Sequence, residues 1–297
     1  MADAPQAADK ADPRVRPGFP LRLNTDTFAT HAIKNVAISQ VKTRAMVIIS
    51  SKNGVNPIFA SPLKGAVNAR VSTAVQQPMS HSPGMASDAL RAHMVRKLAA
   101  QGLIDPQVLA AVGKIERHRF VDSALANQAY EDTSLPIGLG QTISKPNVVA
   151  RMLELLMRGM PGKLGRVLEI GTGCGYQAAV LGQLATEVYS IERLRGLHDK
   201  ARENLRPFRL TNVHLLFGDG MAGFAKGAPY AAIVAAAGGQ AIPSAWIEQL
   251  AIGGRLVAPM QTLSGGQALV VVDKTPGGTR QTILEAVHFV PLKSGTS

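Results

Sequence analysis

Cysteine is almost absent from this sequence: Cys174 is the only one among 297 residues. A single cysteine excludes a disulfide framework and any metal site that depends on a cysteine cluster. The seven histidines are scattered along the chain, with no pair at a spacing of four residues beside a carboxylate. Because zinc sites need such clustered ligands, the sequence predicts no metal.

Long apolar runs and a secretory leader are also lacking. No apolar stretch approaches the roughly 18 residues that a membrane-spanning helix needs. The opening segment, MADAPQAADKADP, contains three aspartates and no apolar core, so it does not resemble a secretory signal. We therefore expect a cytoplasmic protein that does not associate with a membrane.

Glutamate is absent from residues 1–85, which hold ten Lys and Arg against four Asp. Half of the chain's net charge of +12 therefore lies in less than a third of its length. This stretch is rich in Pro, Ser, Ala, Asn and Gln and shows no sustained helical or strand period. Such a composition cannot bury enough apolar surface to offset its ordering entropy. We predict that residues 1–84 form a disordered basic extension.

A basic extension raises the question of nucleic-acid binding, since Lys and Arg release counterions from phosphates. The segment lacks the dense basic residues and the interleaved aromatic residues that are expected of such a binding surface. A solubilising or vestigial extension is the simpler interpretation, and we expect no specific nucleic-acid partner.

Three helices are predicted downstream of the extension, each with a polar residue at its start. Ser87 is a good N-cap for a helix that ends near Gln101, and Asp105, followed by proline, begins a second helix. Ser144, followed by lysine and proline, repeats this signature for a third helix over 146–158. Each helix has an apolar face, formed by Leu90, Met94 and Leu98, by Val108, Leu109 and Val112, and by Val149, Met152, Leu153 and Leu156.

Strands and helices alternate from residue 165 onward. The predicted strands span 165–170, 187–193, 212–219, 230–237 and 253–260. Two further apolar runs, 268–274 and 282–292, have no helix between them. This order predicts an α/β fold with a doubly wound, mostly parallel sheet and an antiparallel C-terminal strand pair. Ligands of such sheets bind beyond the carboxyl ends of the strands, where the strand order reverses.

The segment EIGTGCGYQ places a glycine-rich turn at the ligand end of the first of these strands, where a helix begins. Its glycines, Gly171, Gly173 and Gly175, follow the spacing G-x-G-x-G, whereas the dinucleotide fingerprint needs a glycine at position 176. The turn also contains an acid, Glu169, and no Lys or Arg. Because a sulfonium cation tolerates that acid better than a pyrophosphate does, the pattern favours S-adenosylmethionine over NAD.

Acids at the ends of the next two strands extend the predicted cofactor site. Glu192 stands 23 residues after Glu169, where a carboxylate can accept hydrogen bonds from both ribose hydroxyls. Asp219 and Gly220 follow the third strand, where they can meet an adenine. The alternatives are a solvated strand end for Glu192 and a plain turn at Asp219. Cys174 lies beside a helix N-terminus, but with no histidine base evident nearby we expect no catalytic role for it.

Two longer stretches carry a family resemblance. The stretch RHRFVDSALANQAYEDTSLPIGLGQTISKPNVVARMLELL, followed by VLEIGTGCGYQAAVLGQLATEVYSIER, resembles the protein-L-isoaspartate O-methyltransferases, and the similarity covers roughly residues 88–293. The glycine-rich turn alone is common to many methyltransferases, whereas LPIGLGQTIS at this distance before it is far more specific. Residues 1–85 lie outside the resemblance.

The resemblance implies a Rossmann-like methyltransferase domain over residues 85–297, with residues 85–160 as a helical segment on the substrate side. It implies methyl transfer from S-adenosylmethionine to the free carboxylate of L-isoaspartyl residues in damaged proteins, which initiates their repair. Ser144 is the implied active-site residue, a hydrogen-bond donor that positions the substrate. Thr142 and Ile143 are implied cofactor contacts. The implied partners are isoaspartyl proteins and peptides, and we expect a monomer.

Two positions depart from the family pattern: Ala231 replaces the usual acid and Ala235 the usual threonine. These departures bear on substrate contacts more than on cofactor binding. Two other classes of function stay open on the sequence alone. One is a methyltransferase that acts on RNA or on a small molecule, which would share the glycine-rich turn and Glu192 without needing LPIGLGQTIS. The other is a non-catalytic binding protein built on the same fold.

Overall fold

The structure, a computed structural model, describes residues 83–263 and 265–297. The predicted basic extension, residues 1–84, lies outside this range except for Pro83 and Gly84, which begin the first helix. The described part of the chain contains a group of helices, a short hairpin and one large sheet covered by helices. Within that part, no helix is both long and apolar enough to cross a membrane.

Three α-helices precede the large sheet: α1 (Pro83–Ala100), α2 (Pro106–Lys114) and α3 (Pro146–Met157). The predicted cap at Asp105 is confirmed, since its carboxylate accepts hydrogen bonds from the main-chain N–H groups of Gln107 and Val108. The predicted apolar faces are buried, except that Leu90 is exposed and Leu109 is half-buried.

The other two predicted caps are wrong. Helix α1 begins one turn before Ser87, which therefore lies inside the helix. Proline suits that first turn because its missing N–H needs no partner there. Helix α3 has Lys145 at its N-cap, and Ser144 makes no capping bond. Instead Asp132, from an earlier loop, accepts a hydrogen bond from the N–H of Asn147 at 3.0 Å.

The chain between α2 and α3 forms two 3-10 turns and a hairpin. The turns span Arg117–Phe120 and Ser123–Gln128, and the hairpin pairs β1 (Leu135–Gly138) with β2 (Gln141–Ile143). The hairpin includes the LPIGLG motif, residues 135–140. Glycine allows the sharp reversal, because φ is 101° at Gly138 and 69° at Gly140.

The large sheet has seven strands in the order β5–β4–β3–β6–β7–β8–β9. The strands are β3 (Leu164–Ile170), β4 (Ala185–Glu192), β5 (Val213–Phe217), β6 (Tyr230–Ala235), β7 (Leu250–Gln261), β8 (Gln267–Thr275) and β9 (Gly278–Val287). The helices between them are α4 (Tyr176–Leu184), α5 (Arg195–Leu205) and α6 (Ser244–Gln249). Strands β3 to β7 pair in parallel, and β8 pairs antiparallel with both β7 and β9. The predicted doubly wound α/β fold with its antiparallel C-terminal pair is confirmed.

Two apolar layers enclose the sheet. Val167 of β3 belongs to the layer that includes α3 and α4, whereas Leu168 and Ile170 belong to the layer that includes Trp246 of α6. Because β3 is buried on both faces, its apolar residues do not alternate with exposed polar ones over 167–170. The strand order reverses at β3, since the chain moves outward to β5 and then returns to the other side of β3 as β6. The carboxyl ends of β3 and β6 therefore face the crevice where such sheets bind ligands.

Candidate active site

A cleft of about 410 Å³ lies at the carboxyl ends of β3, β4 and β6. Its walls are the hairpin with the start of α3, the glycine-rich turn after β3, the loops after β4 and β6, and a C-terminal segment. The predicted site residues that line it are Thr142, Ile143, Ser144, Gly171, Gly173, Glu192 and Gly220. Glu169 and Asp219 are not among the lining residues. The fold thus brings the predicted substrate residue and most predicted cofactor residues to one cavity.

The glycine-rich turn after β3 needs glycine for its conformation. The φ angle is 89° at Gly171, 56° at Gly173 and 91° at Gly175, values that disfavour residues with a side chain. The N–H groups of Gly171 and Thr172 both bond to the carbonyl of Ile191 on the neighbouring strand. The turn therefore presents bare, fixed backbone to the cleft at the point where α4 begins.

Glu192 ends β4 with its carboxylate at the cleft. One carboxylate oxygen accepts a hydrogen bond from the N–H of Gly173 at 2.8 Å, and the other from the N–H of Leu194 at 2.9 Å. The residue is only 5% exposed, so it is not a solvated strand end. Because each oxygen keeps a further lone pair, the fixed carboxylate can still accept hydrogen bonds from a ligand diol.

Glu169 lies beneath the glycine-rich turn and is fully buried. Its carboxyl group accepts a 2.5 Å hydrogen bond from the hydroxyl of Ser190, which is 2.6 Å from the hydroxyl of Thr172 in the turn. Burial raises the pKa of Glu169 to about 8, and the bond from Ser190 only partly offsets this effect. The carboxyl group is therefore mainly neutral at pH 7. This placement corrects the expectation of a negative charge facing the cofactor, and it makes Glu169 a support of the turn.

Asp219 binds the main chain rather than the cleft. Its two carboxylate oxygens accept hydrogen bonds from the N–H of Met221 at 2.9 Å and from the N–H of Gly295 at 2.7 Å. Gly220 does line the cleft, and a Cβ at that position would lie 2.6 Å from the side chain of Ile170. Of this predicted pair, therefore, only Gly220 reaches the cleft, while Asp219 holds the C-terminal segment in place.

The C-terminal segment crosses the ligand edge of the sheet. Val290 and Leu292 bond to the main chain of Gly238 after β6, and Ser297 pairs with the main chain after β4. Residues 290–293 line the cleft along this path. The sequence predicted one strand over 282–292, whereas β9 ends at Val287 and the irregular residues after it form this wall of the cleft.

Ser144 stands between the hairpin and α3, half-buried at the cleft. Its carbonyl accepts a 2.7 Å hydrogen bond from the side chain of Arg117. Its hydroxyl makes no hydrogen bond with any residue that the structure describes. Lys200 of α5 bonds to the carbonyl of Ile137 and so ties the hairpin to the large sheet. The hydroxyl of Ser144 is therefore held at the cleft and is free to donate to a ligand.

Other positions singled out in the sequence do not supply reactive groups. Burial raises the pKa of the Cys174 thiol, which keeps the sulfur neutral at the wall of the cleft. Ala235 is fully buried in an apolar layer, and Ala231 packs near Gly165, so neither departure from the family pattern lines the cleft. Over residues 83–263 and 265–297, no group of three His, Cys, Asp or Glu side chains can hold a metal ion.

The residues of the cleft fit S-adenosylmethionine. The carboxylate of Glu192 can accept hydrogen bonds from a ligand diol, and Gly220 lies so close to Ile170 that no side chain fits at its position. The turn at Gly171 and Gly173 lets a ligand approach the backbone closely. Together with the G-x-G-x-G spacing of the turn and the antiparallel C-terminal strands, this arrangement is typical of a Rossmann-like methyltransferase.

Comparisons with known proteins agree. A family model described as protein-L-isoaspartate(D-aspartate) O-methyltransferase matches residues 89–297. A protein-L-isoaspartate O-methyltransferase of Leptothrix cholodnii is 63% identical over 218 residues, which cover 72% of this chain and 77% of the relative. One of Ralstonia nicotianae is 52% identical over 264 residues, 82% of either chain. The chain therefore belongs to the protein-L-isoaspartate(D-aspartate) O-methyltransferase family.

Solved structures support the same fold. A protein-L-isoaspartate O-methyltransferase superposes with a TM-score of 0.63 at 28% identity, covering 69% of this chain and 66% of its own. A second structure, from Plasmodium falciparum, is described as a complex with S-adenosyl-L-homocysteine. It has a TM-score of 0.60 at 22% identity and covers 70% of this chain and 98% of its own, so it supports the fold alone.

As a member of the family, the chain is an enzyme with S-adenosylmethionine as its cofactor. It transfers a methyl group to L-isoaspartyl residues of damaged proteins.

Proposed function

We propose that Ser144 donates a hydrogen bond to the carboxylate of the isoaspartyl substrate while the glycine-rich turn and Glu192 hold the cofactor in the same cleft. The observation that carries this proposal is the unpaired hydroxyl of Ser144 in a cavity that the turn also lines. Ser144 acts as a positioned donor and not as a covalent nucleophile, since no base that could activate it contacts its hydroxyl among the described residues.

The chemistry requires alignment more than acid–base catalysis. A free carboxylate is already ionised at pH 7, so it attacks without a general base. Bound S-adenosylmethionine supplies an electrophilic methyl group on a positively charged sulfur. A carboxylate oxygen forms the new O–C bond as the C–S bond breaks, and the electron pair of that bond stays on sulfur. Orientation of two reactants in one cavity can lower such a barrier by about 7–11 kcal/mol.

The remaining site residues have supporting roles in this proposal. Glu192 accepts hydrogen bonds from the ribose hydroxyls, and Gly220 leaves space for the adenine. Thr142 and Ile143 cover the cofactor from the hairpin side. Asp219 acts on the cavity only through the C-terminal segment that it anchors.

We further propose that the enzyme works as a monomer in the cytoplasm, on isoaspartyl peptides and proteins and without a specific nucleic-acid partner. Every group assigned to the chemistry comes from one chain, so the site needs no second subunit. The single cysteine is a free thiol, which suits a reducing compartment. Light scattering of the purified enzyme tests the monomer, and a dimer mass would contradict it.

An assay with a labelled methyl donor tests the proposed function. We expect label on an isoaspartyl peptide and none on the aspartyl peptide of the same sequence. Because Ser144 makes no capping bond, Ser144→Ala should leave the melting temperature nearly unchanged. Its kcat/KM should fall by about 10- to 100-fold, equivalent to about 1.4–2.8 kcal/mol of transition-state binding. An unchanged kcat/KM in Ser144→Ala would mean that main-chain N–H groups, and not Ser144, donate the hydrogen bond to the substrate. Label on neither peptide would favour an RNA or small-molecule acceptor.

A further inference from the structure

Arg117 is a fully buried arginine next to the active site, in the 3-10 turn that follows α2. Its Nε donates to the carbonyl of Ala129 at 2.8 Å, and its Nη2 donates to the carbonyl of Ser144 at 2.7 Å. Arg117 begins the first stretch that carries the family resemblance, but the sequence assigned it no role, and it lies 27 positions before the serine that it contacts.

The same guanidinium contacts the cofactor side of the cleft. It lies over the ring of Tyr176, with its central carbon 4.8 Å from the ring centroid. Tyr176 is the first residue of α4, directly after the glycine-rich turn, and it lines the cleft. Arg117 therefore joins Ser144 on one wall of the cavity to the end of the glycine-rich turn on the other.

A purely structural role explains this arrangement poorly. Nη1 of Arg117 is buried without a hydrogen-bond partner, and no described carboxylate forms an ion pair with the side chain. Burial lowers the pKa of Arg117. An arginine nevertheless stays protonated in proteins, so the fold keeps in its core a cation that Asp132 attracts without a direct ion pair. Burial of a charge without an ion-pair partner costs free energy, so stability alone does not account for an arginine at this position.

A second arginine provides a contrast at the other end of α3. Nη1 of Arg255 donates to the carbonyls of Leu155 and Arg158 at 3.0 Å each. Its charge is neutralised by Asp273, whose Oδ1 lies 2.6 Å from its Nε. Arg255 thus binds main-chain carbonyls as Arg117 does, but it is paired and lies far along the helix from the cleft.

We propose that Arg117 is a positioning residue for methyl transfer, which fixes the main chain at Ser144 against Tyr176 so that the substrate and the cofactor stay aligned. This inference rests on the proposed role of Ser144. Each wall by itself can bind its ligand. The alignment of the two walls, however, depends on one buried side chain, that of Arg117. Loss of Arg117 should therefore lower turnover more than it weakens the binding of either ligand.

The test is a double-mutant cycle on kcat with Arg117→Met, Ser144→Ala and the double variant. We expect Arg117→Met to lower kcat by about 10- to 100-fold, with KM for the peptide and Kd for S-adenosyl-L-homocysteine within about threefold of wild type. Because Arg117 acts through Ser144, the double variant should lose far less than the product of the two single losses. The control, Arg255→Met, should lose stability and keep its kcat.

The possible failures are distinguishable. A wild-type kcat in Ser144→Ala would remove the proposed role of Ser144, and the inference with it. An impaired Ser144→Ala with multiplicative losses in the double variant would overturn the inference alone. Arg117→Lys keeps the cation but cannot reach both carbonyls with a planar fork, so its kcat should fall at least about fivefold. A wild-type kcat in Arg117→Lys, or loss of folding in both Arg117 variants, would reduce Arg117 to a core residue.

Discussion

The two walls of the cleft are built in different ways. The cofactor wall is one continuous strand–turn–helix unit, fixed by main-chain bonds and by acids of adjacent strands. The substrate wall is a hairpin and a helix start, fixed by side chains that are distant in sequence: Arg117, Asp132 and Lys200. The cofactor wall should therefore tolerate many changes outside its motif, whereas the substrate wall should depend on a few individual contacts.

The largest loss of activity is expected for a substitution at Ser144, which should impair the substrate wall and leave the cofactor wall intact. The substitution Ser144→Asp sets a negative charge against a negatively charged substrate, and juxtaposed like charges cost several kcal/mol. Methyl transfer to an isoaspartyl peptide should fall by more than about 100-fold. The variant should remain folded and should still bind S-adenosyl-L-homocysteine, as measured by calorimetry.

The matched control for that variant is Ser144→Thr, which keeps a hydroxyl donor. It should retain much more activity than the aspartate variant. Near-normal turnover in Ser144→Asp would show that the substrate carboxylate lies elsewhere, and lost affinity for S-adenosyl-L-homocysteine would show that the two walls are not separate.

The second-largest effect is expected on cofactor affinity, from a substitution in the cofactor wall alone. Glu192→Gln removes a charge-assisted acceptor and leaves an amide N–H group facing a main-chain donor, so cofactor affinity should fall by about 1.5–3 kcal/mol. Calorimetry with S-adenosylmethionine measures this change. Glu187→Gln, at the half-buried beginning of the same strand, is the control and should leave the affinity unchanged. Equal affinities in both variants would remove Glu192 from the site.

The difference between the two walls also explains which features of the fold and of the site could be predicted from the sequence. The alternation of strands and helices, the glycine-rich turn and the position of Glu192 follow from local patterns, because apolar periodicity and glycine spacing act over a few residues. The role of Glu169 was mispredicted, since sequence alone does not tell which side of a strand end faces the cavity. Arg117 and the C-terminal segment were missed because their contacts depend on tertiary packing. The cap assigned to Ser144 failed for the same reason: a distant residue, Asp132, binds the helix start.

A smaller effect concerns the buried support of the cofactor wall. Burial raises the folded-state pKa of Glu169 to about 8, above its ordinary value of 4.5. Below pH 4.5 the carboxyl group is neutral in both states, so it carries no penalty. Between pH 4.5 and 8 only the unfolded state ionises, and the free energy of unfolding should fall by up to about 1.4 kcal/mol per pH unit from this group.

Glu169→Gln tests that dependence because it keeps the shape of the side chain and removes its titration. Denaturant unfolding from pH 4.5 to 8 should give a flatter stability curve for the variant than for the wild type. All other titrating groups are common to both proteins and cancel in the difference. If the stability curves of the two proteins ran parallel, Glu169 would be ionised in the folded protein. A negative charge would then lie at the cofactor wall.

The smallest expected effect lies outside both walls. If the basic extension contributes nothing to either wall, deletion of residues 1–82 should leave kcat and the melting temperature nearly unchanged. Deletion through residue 100 is the contrasting variant, because it removes Met94 and Leu98 of α1, which are 2% exposed in the core. That variant should melt at a clearly lower temperature, since loss of each such side chain costs about 2–5 kcal/mol. A large loss of stability on the shorter deletion would show that the extension packs on the domain, and a selective loss of kcat would connect it with the substrate wall.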